Sequence, residues 1–399
     1  MTRAPFNTDL EPLRKLFREL ISTLEEKSPW YGSIFFERRA SKSCAANLKQ
    51  TQLNDQVSQG VVMRIYDGYT LYERATDDLN PDHLKSFAKE FAERVKKTTS
   101  GAGAVLRPYT PPNWKARISA KLEDEIKSQI PTHVTAETPV HFGIRFKTNP
   151  KSDSLNSTMD RLKGVIERCK KSAVKNGMDP SELTYISVRQ GFSEEDAVFV
   201  DRETNMSQTL YRMSLTIITM SGADRTYVRT GGLGGLEAIE MTNEEIDRLL
   251  IDLKALKNAQ RLEPGKYKVL CGPIVTGVLA HEAFGHSQEG DTWARGRSKA
   301  TELYENHDQV GNHHATILNN PAVYDNGGQG YGAWGSYFFD EEGWLAQEQV
   351  LLDQGTLCPP MTNLTSALRL GVARTANGKR ESWSNGVYTR QTNTYFSPG

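Results

Sequence analysis

The chain has 399 residues, enough for two domains. Basic and acidic residues balance at 49 each, so composition gives no global electrostatic case for nucleic acid or an anionic membrane. Apolar residues make up 37%, no apolar run approaches membrane-spanning length, and the start, MTRAPFNTDLEPLRKLF, lacks a signal-peptide core.

In chain order, Leu13, Leu16, Phe17, Leu20, Ile21 and Leu24 repeat at helical spacing and predict an amphipathic helix over 9–26. Ile34-Phe35-Phe36 opens a strand, and a polar strand-like stretch runs through Leu48 and Gln52. Val61 to Tyr66 and Tyr69 to Tyr72 flank Asp67-Gly68, a hairpin signal. Pro81 begins a helix striped by Leu84, Phe87 and Phe91, with His83 as a helix-start residue. Residues 100–114, rich in Pro and Gly, read as a loop. A polar helix near 117–128, a strand at Val140 to Phe146 and a long helix at 155–176 follow. Asn176-Gly177 stops that helix, and its lysines form a solvated face. Tyr185 to Val188, Ala197 to Val200 and Leu210 to Thr219 read as sheet strands. The first part, residues 1–230, is thus expected to be an α+β domain of antiparallel strands with helices.

Gly231-Gly232-Leu233-Gly234-Gly235 fits neither a phosphate loop nor a dinucleotide fingerprint. It is expected to be mobile, as a domain junction or a flap near a cleft. Thr242 and Glu245 form a capping box ahead of Ile246, Leu249, Leu250, Leu253 and Leu256. Tyr267 to Cys271 reads as a short strand, turned by Gly272-Pro273 into a buried helix. That helix carries His281-Glu282-Ala283-Phe284-Gly285-His286.

Two imidazoles flank a carboxylate in an apolar segment, where a carboxylate needs positive charge nearby. A divalent metal on His281 and His286 would supply it, with Glu282 placed to take a proton from a bound water. A regular α-helix turns positions i and i+5 about 140° apart. Both imidazoles reach one ion only if the helix widens into a π-bulge or ends near Gly285. Spacing alone leaves open two core histidines beside a surface glutamate. Glu289 and Asp291 are candidate partners of the imidazole N–H groups, or solvate the helix end. His307, His313 and His314 read as loop histidines in the polar 292–314 stretch, which resembles an active-site loop. Glycine-rich 325–335 reads as flexible, with strands around Tyr337 to Phe339 and Gln347 to Leu352. Asp353-Gln354-Gly355 turns a hairpin into Thr356-Leu357.

HEAFGHSQEGD, with Gly272-Pro273 before it and Thr375–Ser382 and Arg390–Tyr395 after it, resembles the TldD/PmbA family. The likeness is to the TldD branch, whose motif is HExxxH. This family was formerly called modulators of DNA gyrase. The resemblance implies a C-terminal metallopeptidase domain, residues 231–399, on a curved barrel-like antiparallel sheet. It implies a zinc peptidase acting on unfolded peptides, bound partly as an added β-strand. It also implies zinc on His281 and His286, Glu282 as the catalytic residue, and a homo- or heterodimer with a TldD/PmbA-like subunit. The 375–382 loop, with Lys379 and Arg380, would orient substrate carbonyls or stabilise the sheet edge.

The family's third metal ligand is a cysteine downstream of the Asn-Thr-Tyr stretch, and no cysteine follows Cys358 here. The C-terminal domain is therefore expected to be incomplete at its end. The alternatives are a substitute ligand such as Cys358, His313 or Asp291, or an inactive partner subunit. A metal-dependent hydrolase of small amides is a further reading. Cys44, Cys169, Cys271 and Cys358 form no CxxC pair, which suits reduced thiols and a cytoplasmic protein.

Overall fold

The computed structural model describes residues 1–27, 29–98, 107–119 and 121–398. Its largest element is a sheet of long strands with a mixed α+β surround. Tyr31–Asn47 pairs antiparallel with Thr51–Tyr66, Tyr31 facing Tyr66 and Ala46 facing Thr51. The turn between them is an Asx turn, in which the Asn47 side chain accepts the amides of Lys49 and Gln50 at 2.8 and 2.9 Å. The predicted hairpin at Asp67-Gly68 follows. Asp67 accepts the Tyr69 and Thr70 amides at 2.8 Å, and Gly68 takes φ 102°, leading into Leu71–Thr76. On the other edge of Tyr31–Asn47 lies Tyr185–Asp201, then Asn205–Ser221.

The last of these strands carries two neighbours along one edge. Asp224–Leu233 pairs antiparallel with its C-terminal part. Pro139–Gly143 pairs with Asn205 to Thr209, and this pair is parallel. The expectation of antiparallel strands throughout is corrected here. Residues 77–138 carry the chain across before it returns, so no tight turn dictates an antiparallel direction.

Helices cover one face of the sheet. Glu11–Leu24 and Pro81–Thr98 pack Phe17, Leu20, Leu84 and Phe91 against Ile34, Phe36, Met63 and Val200. Leu155–Lys175 and Asn243–Leu256 pack Leu162, Ile166, Leu249 and Leu253 against Cys44, Val188, Leu215 and Ile217. Each fully buried Phe or Leu contributes about 1.5–3 kcal/mol. The capping box closes as expected: Thr242 Oγ1 accepts the Glu245 amide at 3.2 Å, and Glu245 accepts the Thr242 amide at 2.7 Å. Leu256 is 41% exposed, because the helix ends there and turns away from the sheet. The division expected at 230/231 falls inside the Asp224–Leu233 strand.

Successive residues of a strand face opposite sides. The odd-numbered side chains of Tyr31–Asn47 therefore point away from the helices. Near Phe35 that face is covered by a C-terminal segment, where Phe338, Phe339 and Tyr337 join Phe35, Phe199 and Phe142 in one core. A buried ion network seals the same contact. Arg64 Nε lies 2.7 Å from Glu73 and its Nη1 lies 3.4 Å from Glu342, which Arg374 meets at 3.2 Å. Arg380 also pairs with Glu73.

Other expectations change. The polar helix near 117–128 is two single turns, Trp114–Arg117 and Asp124–Lys127, with Leu122 buried between them. The 100–114 loop reading falls partly on residues 100–106, which lie outside the described residues; 107–113 form neither helix nor strand. The 231–235 glycines are packed, not a mobile flap. Leu233 is fully buried and exchanges backbone hydrogen bonds of 2.8 and 2.7 Å with Gly332, and a Cβ on Gly232 would overlap that residue's carbonyl. Tyr337 to Phe339 is buried loop, its polar backbone held by the Gln208 side chain, which accepts the Phe338 amide at 2.9 Å.

The C-terminal sheet orders Thr356–Leu357, Gln349–Asp353, Ile317–Asn319 and Thr394–Phe396, all antiparallel. The Asp353-Gln354-Gly355 turn is as expected, with positive φ of 46° and 84° at its two central residues. Among the described residues no sheet closes into a barrel, so the barrel-like expectation is corrected: strands of two to five residues give too little curvature and too few neighbours. Among the described residues, no helix is long and apolar enough to cross a membrane.

Candidate metal centre

Gly272 N-caps a short helix, Pro273–Leu279, with Pro273 in its first turn. The expected strand at Tyr267 to Cys271 is absent, and the expected burial of this helix is corrected. Leu270 is fully exposed, Ile274 82% and Val278 55% exposed, because no described element packs over them. Burial begins at Ala280, which joins Trp293, Ile317, Leu351 and Met361 in the core under the small sheet.

From Ala280 to Gly285 the helix becomes a π-helix and continues as a 3₁₀ turn over His286–Gln288. The wider turn brings the i and i+5 positions onto one side. The His281 and His286 rings have centroids 4.8 Å apart at 84°. One ligand atom from each of His281, Glu282 and His286 lies within 4.8 Å of the others. Glu282 and His286 are exposed and His281 is half-buried.

Two glycine and glutamine contacts shape this turn. A Cβ on Gly285 would overlap the Gln391 side chain, so a glycine here lets Gln391 lie against the helix. Gln391 Nε2 then donates to the His281 carbonyl at 3.2 Å, the same carbonyl that accepts the His286 amide across the π-turn.

Of the two acidic candidates, the structure brings Glu289 to the site and leaves Asp291 out. Glu289 Oε1 lies 3.2 Å from His286 Nδ1, and its Oε2 accepts from Arg390 at 3.0 Å. Burial pushes the Glu289 carboxyl up, against the pull of Arg390 and His286. Asp291 instead accepts from the Asn363 side chain at 3.2 Å and from the Thr389 amide. Among the described residues, the donor group includes none of Cys358, His313 and Asp291. Cys358 is half-buried with its thiol raised by burial, and His307, His313 and His314 are exposed. The two imidazoles suit a zinc ion in type, with the Glu282 carboxylate beside them and the Glu289 contact leaving the far nitrogen of His286 free to face the ion.

A cavity of about 810 Å³ lies beside the motif, lined by Arg39, Arg212, Lys379, Tyr388, Arg390 and Gln391 among others. His281, Glu282 and His286 do not line it; Gln391 and Arg390 join the two places. Lys379 and Arg380 both line it and are held from below, Lys379 by Glu341 at 2.8 Å and Arg380 by Glu73. The roles of Gln391 and Arg390 in shaping the turn are not legible as chemistry in the sequence. Their only signal there is that they sit in the Arg390–Tyr395 stretch that carries the family likeness.

Residues 264–399 match the PmbA/TldA metallopeptidase C-terminal domain. A "Metalloprotease" of Methanothermobacter thermautotrophicus is 27% identical over 57% of this chain and 48% of its own. A "Zinc metalloprotease TldD homolog" of Saccharolobus solfataricus is 23% identical over 72% of this chain and 64% of its own. In the Methanothermobacter case the matched region is about half of the relative's length. A crystal structure of a putative modulator of a DNA gyrase from Thermotoga maritima shares the fold, with TM-score 0.65 and 18% identity over 96% of this chain and 78% of that one. Residues 264–399, which carry the HExxxH turn, are thus similar to the C-terminal metallopeptidase domain of the TldD/PmbA proteins, and the chain as a whole shares the fold of the Thermotoga protein.

Proposed function

We propose that this chain is a zinc-dependent peptidase that hydrolyses unfolded peptides at His281, Glu282 and His286. The observation that carries the reading is the π-turn, which gathers two imidazoles and a carboxylate within 4.8 Å despite their i, i+5 spacing. His281 and His286 would hold the ion. A zinc ion there supplies a water acidified towards a pKa of about 7 and a Lewis acid for the substrate carbonyl. Glu282 takes the proton from the attacking water and passes it to the leaving amine. Glu289 fixes the tautomer and orientation of His286 by occupying its Nδ1. The cavity of about 810 Å³ next to Gln391 is of the size of a ligand cleft.

A second subunit of the same family would cover the exposed apolar residues Leu270, Ile274, Val275 and Val278 ahead of the motif. One observation favours a second reading, a non-catalytic partner subunit: among the described residues the donor group holds no third imidazole or thiolate. Activity separates the readings. Incubation with an unstructured peptide and with small acyl-amides should give chelator-sensitive cleavage of the peptide. Cleavage of the acyl-amides alone, or of neither, contradicts the peptidase reading.

A further inference from the structure

The face of the large sheet that points away from the helices is covered by the C-terminal segment near Phe35 and Phe199 and as far as Gly60 and Ser58, where Trp383 packs and donates its indole N–H to Ser58 Oγ at 3.1 Å. Further along, it is open and polar. One row of facing residues runs straight across five strands: Asn54, Ser43, Gly191, Ser214 and Gly231. At about 4.8 Å per strand the row spans about 19 Å, the length of about six extended residues.

This low floor has basic walls. Arg39 and Arg212 stand on one side and share Glu195 at 3.5 and 3.1 Å, Arg39 also pairing with Glu37 at 2.8 Å. Arg189 and Arg229 stand on the other, both facing Thr216 from opposite sides. Both are exposed, and neither has a carboxylate within 4.0 Å among the described residues. The Arg229 guanidinium lies 5.2 Å from the centre of the Trp334 ring. In a chain with no net charge, two unpaired guanidiniums two strands apart are a local excess of positive charge.

The trough adjoins the cavity beside the motif. Its own cavity, about 420 Å³, shares Ser41, Ser193, Arg212 and Trp334 with the 810 Å³ cavity that ends at Arg390 and Gln391. A nucleic acid would also meet positive charge here, but the floor is serine and glycine and offers no series of aromatic rings for bases to stack on.

We propose that this trough binds an acidic stretch of the peptide substrate, and that Arg189 and Arg229 are the residues that select it. The inference rests on the peptidase reading for its occupant. Its selectivity is electrostatic, since the serine and glycine floor offers no deep side-chain pocket.

The test is binding by the full chain carrying Glu282→Gln, read by fluorescence anisotropy with a labelled unstructured peptide holding an acidic run and with its Gln-substituted counterpart. The acidic peptide should bind about fivefold tighter at low salt, as two exposed ion pairs allow. The preference should shrink as salt is added. It should disappear in an Arg189→Gln/Arg229→Gln variant whose melting curve matches its parent. Equal affinity for the two peptides, an unchanged preference in the variant, or tighter binding of an oligonucleotide of the same charge overturns the proposal. The readout is binding, so an acid preference here, beside a parent chain with Glu282 intact that cleaved no peptide, would sink the peptidase reading alone. Loss of the acid preference would leave that reading standing.

Discussion

Glu289 Oε1 sits 3.2 Å from His286 Nδ1. The carboxylate is buried and its second oxygen is held by Arg390, so it cannot swing away from the ring. An imidazole anchored at Nδ1 presents Nε2 in a fixed direction. Replacing Glu289 with Gln should weaken zinc affinity about 10- to 100-fold, measured by competition with a chromogenic chelator. Asp291→Asn should have little effect, because Asp291 bonds Asn363 and Thr389 and not an imidazole.

Among the described residues Glu282 has no hydrogen-bond or ion-pair partner whose loss would break a contact, and it is exposed. Glu282→Gln should lower peptide turnover by about 10²–10⁴-fold while leaving zinc affinity and melting temperature close to the parent. Parent-like turnover in this variant would remove Glu282 from the chemistry.

Gly285 and Gln391 form a pair in which one is small because the other is present. Gly285→Ala should push Gln391 aside and break its bond to the His281 carbonyl, at a cost of about 0.5–1.5 kcal/mol. Zinc affinity should fall with it, as the turn relaxes. Adding Gln391→Ser to Gly285→Ala makes room for the methyl group and should restore part of the affinity. Additive losses in the double variant would contradict this coupling.

Burial raises the carboxyl of Asp340 to about 6, in spite of the pull of Arg374. The folded value lies above the unfolded one, 3.8, so the folded state holds the extra proton between them. The stability that goes with this proton is fully present below about 3.8 and is lost as pH rises through about 6. The parent's stability relative to Asp340→Asn, followed by chemical denaturation, should therefore decrease between pH 5 and pH 7.5. A difference that stays flat or grows with pH would contradict the assignment.

Much of the helix-bearing face of the sheet is legible in the sequence, because its signals are local. Leu16, Phe17 and Leu20 mark their helix by spacing alone, and Asp67-Gly68 and Thr242 with Glu245 specify a turn and a cap within a few residues. The need for a π-turn is legible too, since two imidazoles at i and i+5 cannot otherwise converge.

What the sequence hides depends on distant partners. Gly231 and Gly232 read as a flexible run until Met213 and Gly332 are seen pressed against them. Ile274, Val275 and Val278 read as buried from their hydrophobicity, yet no described element covers them. Arg189 and Arg229 look like scattered charges until the register places them on opposite sides of Thr216.

The central claim is that His281 and His286 hold one metal ion between them. Its most direct test is elemental analysis of the full chain, equilibrated with zinc and freed of excess, beside a His281→Ala/His286→Ala variant. The account predicts about one zinc per parent chain and none in the variant. No stoichiometric zinc in the parent, or the same amount in both, would contradict it.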